Sequence, residues 1–249
     1  MKWVTRHHAR VNRTPVEVPA RILAATFLVV AFSARTALAF PPYHSTDAET
    51  ADPWTLETRL GLVRLERDVG HNEYASPLLR VNLGLPHGVE LVSELECRAV
   101  LRSVGDAALG FKWVPFMASL SVGIEALALL PISSAGGAGV ETSLLATWRA
   151  GELLRTHLNL TGFYDARATP AESGWKAGLV NELRLGRFRP GIEIFAEQVR
   201  GEAVQVVAGP GIIVKLGPID VRSGIHFGLT PRATDLAVSF WIAGAFPLD

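Results

Sequence analysis

The chain has 249 residues, 49% of them hydrophobic, with 24 basic and 24 acidic side chains and one cysteine, Cys97. Its mean hydropathy of +0.25 is high for a water-soluble chain, so a membrane fold has to be tested first. Balanced charge and the lack of a basic stripe with interleaved aromatics argue against a nucleic-acid partner, and a lone thiol excludes an intrachain disulfide or a cysteine-anchored zinc site.

In chain order the first element is a targeting segment. Residues 1–21 carry Lys2, Arg6, Arg10, Arg13 and Arg21 against one acid, Glu17, and a largely apolar run from Ile22 to Phe32 follows. Ala37-Leu38-Ala39 then supplies small residues at alternate positions. Basic region, short apolar region and A-x-A pattern predict a secretory signal over 1–39, cleaved after Ala39. The apolar run is too short for a spanning helix, which needs about 20 residues. Cleavage would remove six basic residues and one acidic one, leaving 18 against 23 and a net charge of −5. Residues 40–53, with prolines and acids, form a separate segment that either hangs in the periplasm or enters a lumen.

From residue 54 to 249 no stretch is apolar enough to span as a helix, and alternation with a period of two takes over. Residues 89–102 show it best: Val89, Leu91, Ser93, Leu95, Cys97, Ala99 and Leu101 form one face, and Glu90, Glu94, Glu96, Arg98 and Arg102 fall on the other. Before it come strands over 55–66 and 74–85. After it come 106–114, 118–130, 140–149, 154–164, 175–185, 188–197, 203–216, 219–229 and 235–246, with Gly209-Pro210-Gly211 expected to make a bulge or bend. The total is twelve strands. Connections after every second strand are tight, such as Gly186-Arg187 and Gly217-Pro218, and most of the alternate ones are longer and more polar. An even strand number with turns sorted in this way predicts an all-β, transmembrane, antiparallel up-and-down barrel of a bacterial outer membrane. Trp113, Trp148, Trp175 and Phe188 lie near strand ends, where an aromatic girdle belongs.

Several stretches resemble a known family. They are Thr46-Asp47-Ala48-Glu49-Thr50 leading to Trp54-x-Leu56-Glu57, Val104-Gly105-Asp106-Ala107-Ala108-Leu109-Gly110-Phe111-Lys112, Leu130-Pro131 before a Gly/Ser-rich loop, and Gly224-Ile225-His226-Phe227-Gly228-Leu229-Thr230. They are similar to outer-membrane barrels named for the MetA pathway of phenol degradation and described as transporters. The resemblance covers almost all of the chain after the signal. It implies passage of small, aromatic molecules and brings no catalytic residues with it.

The chemistry therefore rests on the inward face. The expected lumen lining is Glu90, Glu94, Glu96, Arg98, Lys112, Glu125, Glu141, Arg155, His157, Lys176, Glu182, Arg184, Glu193, Asp220, Arg222 and His226. Cross-lumen ion pairs are expected between Glu90, Glu94 and Glu96 on one strand and Arg184, Arg189 and Arg222 on later ones. Under a transport reading these charges select solutes; under a structural reading they fill the lumen and nothing passes. A barrel hydrolase would need His157 or His226 in contact with Ser119, Ser121, Ser143 or Ser239, and no spacing sets such a triad. His44, His71 and His87 read as isolated in loops or turns, so no metal or other cofactor is expected. The expected partners are outer-membrane lipid, a small-molecule solute and the outer-membrane assembly machinery.

Overall fold

The computed structural model describes residues 42–248 except 69–70, 76–77, 99–102, 133–135 and 169. The expected signal, residues 1–39, lies outside the described residues. The strands are β1 (Thr55–Asp68), β2 (His71–Ala75), β3 (Leu78–Leu85), β4 (Val89–Arg98), β5 (Ser103–Phe116), β6 (Leu120–Leu130), β7 (Gly139–Ala150), β8 (Leu154–Asp165), β9 (Glu172–Leu183), β10 (Phe188–Val199), β11 (Gln205–Leu216), β12 (Ile219–Gly228) and β13 (Leu236–Pro247). From β3 onward each strand pairs with the next, and β13 returns to β1, from Thr55↔Pro247 to Arg67↔Leu236. The pairing of β13 with β1 thus closes the sheet on itself.

β2 and β3 keep one register against β1, with Arg64↔Ala75 and Gly61↔Leu78, so together they fill one position in the wall. The result is a closed antiparallel barrel of 12 strands. The strand expected over 74–85 begins earlier, at His71, and corresponds to β2 and β3; residues 76–77 lie outside the described residues. The Gly-Pro-Gly bulge does not form. Gly211↔Gly191, Pro210↔Ile192 and Gly209↔Glu193 continue the β10–β11 ladder without a shift. Proline removes only its own N–H from the ladder, and here its ring points outward between two inward glycines. Register shifts occur instead at Gly61/Val63, Leu95/Cys97 and Trp113/Phe116.

One end of the barrel carries the tight connections 86–88, 117–119, 151–153, 184–187 and 217–218. Gly151, Gly186 and Gly217 take φ of +67°, +63° and +67° there, a backbone region that glycine enters without a Cβ penalty. The other end carries 131–138, 166–171, 200–204 and 229–235. The turns are sorted as the alternation of their lengths predicts.

Orientation of the faces separates a membrane barrel from a soluble one. Outward residues are apolar and exposed along the whole wall: Leu91, Leu109, Phe111, Val122, Leu144, Leu158, Leu160, Ile192, Ile194 and Phe227. Inward residues are polar and buried: Glu57, Arg59, Asn82, Glu90, Lys112, Thr147, Arg155, Glu182, Arg189 and Arg222. A soluble barrel does the reverse. The exposed band is stable only against hydrocarbon, and polar rims would meet the headgroups. Trp54, Trp113, Phe116, Trp148 and Phe188 ring the tight-turn end, with Tyr164 and Trp175 toward the long-loop end.

Candidate functional site

The interior is not an empty pore. Residues 42–53 run inside it, and side chains of the wall accept five of their backbone N–H groups. Glu193 of β10 accepts the backbone N–H groups of His44 and Ser45, each at 2.8 Å, and the Ser45 hydroxyl at 2.6 Å. Asn159 of β8 pairs twice with Thr46, accepting its N–H and donating to its carbonyl, both at 2.5 Å. The Thr147 hydroxyl accepts the Ala48 N–H at 2.8 Å, and Glu90 accepts the Ala51 N–H at 2.7 Å. Lys112 donates to the Glu49 carbonyl at 3.1 Å. Inward side chains thereby take the part of a sheet partner for much of this buried backbone, whose polar groups need partners.

The wall is also shaped for this segment. Gly178, Gly191, Gly211 and Gly224 face inward on four consecutive strands, and a Cβ on any of them would strike the segment. It would lie 1.9 Å from Ser45 Oγ at Gly178, 2.3 Å from the Tyr43 hydroxyl at Gly191, 2.6 Å from Tyr43 Cε1 at Gly211 and 2.8 Å from Pro42 Cβ at Gly224. Gly84 on β3 does the same for Asp52, whose carbonyl would be 2.1 Å away. Glycine inside a strand marks close backbone approach. These glycines form a trough.

Charge is balanced locally. Glu49 of the segment meets Arg149 at 2.5 Å and Arg155 at 2.6 Å. Burial opposes its ionisation, but Arg155 and Arg149 outweigh that and hold its carboxyl below the usual glutamate range. Asp47 lies 3.4 Å from Lys112, yet burial pushes its carboxyl up to about 8, against the pull of Lys112 and with the push of Glu49. Its Oδ2 is buried without a hydrogen bond, a suitable place for that proton.

In the wall itself most of the ion pairs join near neighbours, and Arg80 on β3 also reaches past β4 and β5 to Glu125 on β6. Arg189 grips Glu182 at 2.8 and 2.7 Å, Arg80 meets Glu94 at 2.5 Å and Glu125 at 2.6 Å, Lys176 meets Glu141 at 2.6 Å, and Arg222 meets Asp220 two residues away at 3.1 Å. The expected cross-lumen pairs of Glu90 or Glu94 with Arg189 and Arg222 are therefore corrected. Residues on one face two apart, or directly across a strand pair, reach each other first, and the segment occupies the centre. Glu90 serves Asn82 at 2.6 Å and lies 3.9 Å from Lys112. Arg184 stands half-exposed just past the end of β9. The side chains of Glu96 and Arg98 lie outside the described residues.

Above the segment a vestibule of about 690 Å³ opens toward the long-loop end. Its floor is Pro42 to Thr46, and Arg59, Arg80, Glu94, Glu125, Glu141, Lys176 and His226 are among its walls. Glu90, Lys112, Arg155, His157, Glu182, Glu193 and Arg222 do not line it and sit deeper in the barrel. His157 does contact a hydroxyl, but that of Thr147, at 2.9 Å, and both are buried beneath Ala48. Thr147 accepts from Ala48 and shares its other hydrogen bond with the imidazole. The pair anchors backbone and does not face the vestibule. Ser121 accepts from Arg149 at 2.7 Å, Ser143 bonds Thr161 at 2.8 Å, and Ser119 lies in an exposed turn.

Sequence reasoning missed Arg59, Arg80, Asn82, Thr147 and Asn159, because a polar inward residue shows only its face and not its partner. It also left His44 isolated, whereas the fold brings it to Glu193 and His226. The inward glycines were the available signal.

No protein-family model matches the chain, and no curated protein matches it. Among solved structures it is similar to the KdgM porin, at 12% identity and a TM-score of 0.58, over 77% of this chain and 99% of that one. It is also similar to the NanC porin, at 12% identity and a TM-score of 0.55, over 76% and 98%. At such identity the likeness establishes the fold, a porin-like barrel of 12 strands.

Proposed function

We propose that this porin-like barrel is exported through a cleaved N-terminal signal, inserted into a bacterial outer membrane by the assembly machinery there, and allows small solutes to cross passively. Segment 42–53 is its internal restriction. The observation that carries this reading is the charged vestibule, closed below by backbone held in a glycine trough and by hydrogen bonds rather than covalently. A structure meant only to be solid would not need a separate chain segment to fill it. The inward charges that line the vestibule are the selecting surface, and the likeness to phenol-degradation barrels adds aromatic compounds to the solutes worth testing.

A purely structural barrel is the competing reading, favoured by the dense ion pairs below the vestibule. Planar-bilayer recording and liposome swelling decide between them. We expect small, well-resolved conductance steps that grow when Asn159 and Thr147 are both replaced by alanine. A silent wild type together with a silent double variant would establish the structural barrel instead.

A further inference from the structure

We propose that His44, Glu193 and His226 form a binding site for a divalent transition-metal ion, which clamps the N-terminal segment to the barrel wall. One ligand atom from each of the three lies within 4.8 Å of the others. They come from three separate parts of the chain: the segment, β10 and β12. His226 Nε2 stands 2.9 Å from Glu193 Oε2. At that distance the two groups pair directly when the ring is protonated, and an ion would take the place of that proton between them.

The donor set indicates the class of ion. Two imidazoles and one carboxylate suit zinc and its first-row neighbours, whereas calcium and magnesium favour all-oxygen cages. Ligands at about 2.0–2.1 Å from zinc are separated by roughly 3.4 Å in a tetrahedron, so a small swing of the His44 ring completes the triangle. That ring is exposed, stacks on Phe195 at 4.7 Å and meets His226 edge-on at 4.8 Å. Both histidines border the vestibule, which leaves an open side for entry and for a water ligand. Glu193 is already oriented by the His44 and Ser45 N–H groups and the Ser45 hydroxyl, the kind of outer-shell support that metal ligands carry.

The metal site stands on this geometry alone; its effect on permeability rests on the channel reading above. Protein purified from membranes without an affinity tag, stripped with a chelator and dialysed, would be titrated calorimetrically with zinc chloride. We expect one saturable equivalent at micromolar affinity or tighter. His44→Ala and His226→Ala should each weaken it at least tenfold, with His87→Ala, on a distant turn, leaving it unchanged. His44→Ala keeps the backbone N–H that Glu193 holds, and heat-modifiable migration on a gel confirms that each variant is still a barrel. No saturable binding below millimolar zinc, or wild-type affinity in His44→Ala, would overturn the site. Zinc should also lower conductance in wild type and not in His44→Ala. Binding without any conductance leaves the site and removes the channel; conductance without binding does the opposite.

Discussion

Glu193 and Ser45 are 148 residues apart in sequence, yet one carboxylate oxygen of Glu193 accepts both the backbone N–H and the hydroxyl of Ser45, at 2.8 and 2.6 Å. Hydrogen bonds to a charged acceptor contribute about 1.5–3 kcal/mol each, so this contact is a main fastening of the internal segment. Replacing Glu193 by Gln should weaken docking by about 1–3 kcal/mol without dissolving the barrel. Hydrogen exchange at the Ser45 and Ala48 amides measures it, and protection equal to wild type would refute the assignment.

The trough makes a steric prediction. Gly191→Val and Gly211→Val should expel Pro42 and Tyr43, because the added carbons overlap atoms of a packed ring and not a flexible tip. In a Cys97→Ser background, a cysteine at position 45 should react with an impermeant maleimide at least tenfold faster in either variant. Equal rates would mean that the segment does not lie along these glycines.

Docking should depend on pH through Asp47 and Glu49. The docked Asp47 has its carboxyl raised to about 8 by burial, with Lys112 and Arg59 pulling it down and Glu49 and Glu90 pushing it up. A raised acid favours the docked state when protonated, so its contribution is greatest below the usual aspartate range and is lost as pH rises toward about 8. Glu49 is depressed and acts oppositely, its contribution disappearing as pH falls through its lowered value. Conductance should therefore rise from about pH 5 to about pH 8 and then level off. Asp47→Asn should flatten that rise, and a variant with the same pH profile as wild type would refute the role of Asp47.

Arg189 and Glu182 form a buried bidentate pair. Removing one partner leaves an uncompensated buried charge and should cost about 3–5 kcal/mol, whereas replacing both by apolar residues should recover most of it. Urea unfolding of lipid-embedded Arg189→Met, Glu182→Met and the double variant tests this as a cycle.

The outward face is tested by Leu144→Arg and Ile192→Arg near mid-strand. Each should destabilise the lipid-embedded barrel by about 2–4 kcal/mol, and the same change at Leu153, in a tight turn, by about 0–1 kcal/mol. Equal costs at all three positions would be incompatible with a hydrocarbon belt.

Fold and face were legible because both are local. Glu90 and Leu91 differ by one residue, and a period of two is enough to send one inward and the other outward. Closure was legible from the even number of strands and the sorted turns. Partnership was not. Nothing near Glu90 indicates that it holds Ala51, and nothing near Thr147 indicates Ala48, because those contacts depend on where a non-strand segment comes to rest. The Gly-Pro-Gly stretch misled for a related reason: Gly211 accommodates Tyr43 and Pro42, and Gly209 the backbone of Ile225 and His226, not a bend in their own strand. His44 looked isolated since its neighbours arrive from β10 and β12.

The seam between β1 and β13 is the one pairing in the wall that joins distant parts of the chain, Thr55 with Pro247. Every other strand can zip onto its predecessor through a short loop. Closing a loop of that length costs roughly 2–3 kcal/mol more than closing a ten-residue hairpin. Residues 42–53 lead directly into β1 and bind β7, β8 and β10, so they act as a chord across the ring. Once the chord is tied, the first strand is already held near the far half of the cylinder, and the segment that narrows the passage also draws together the two ends that complete it.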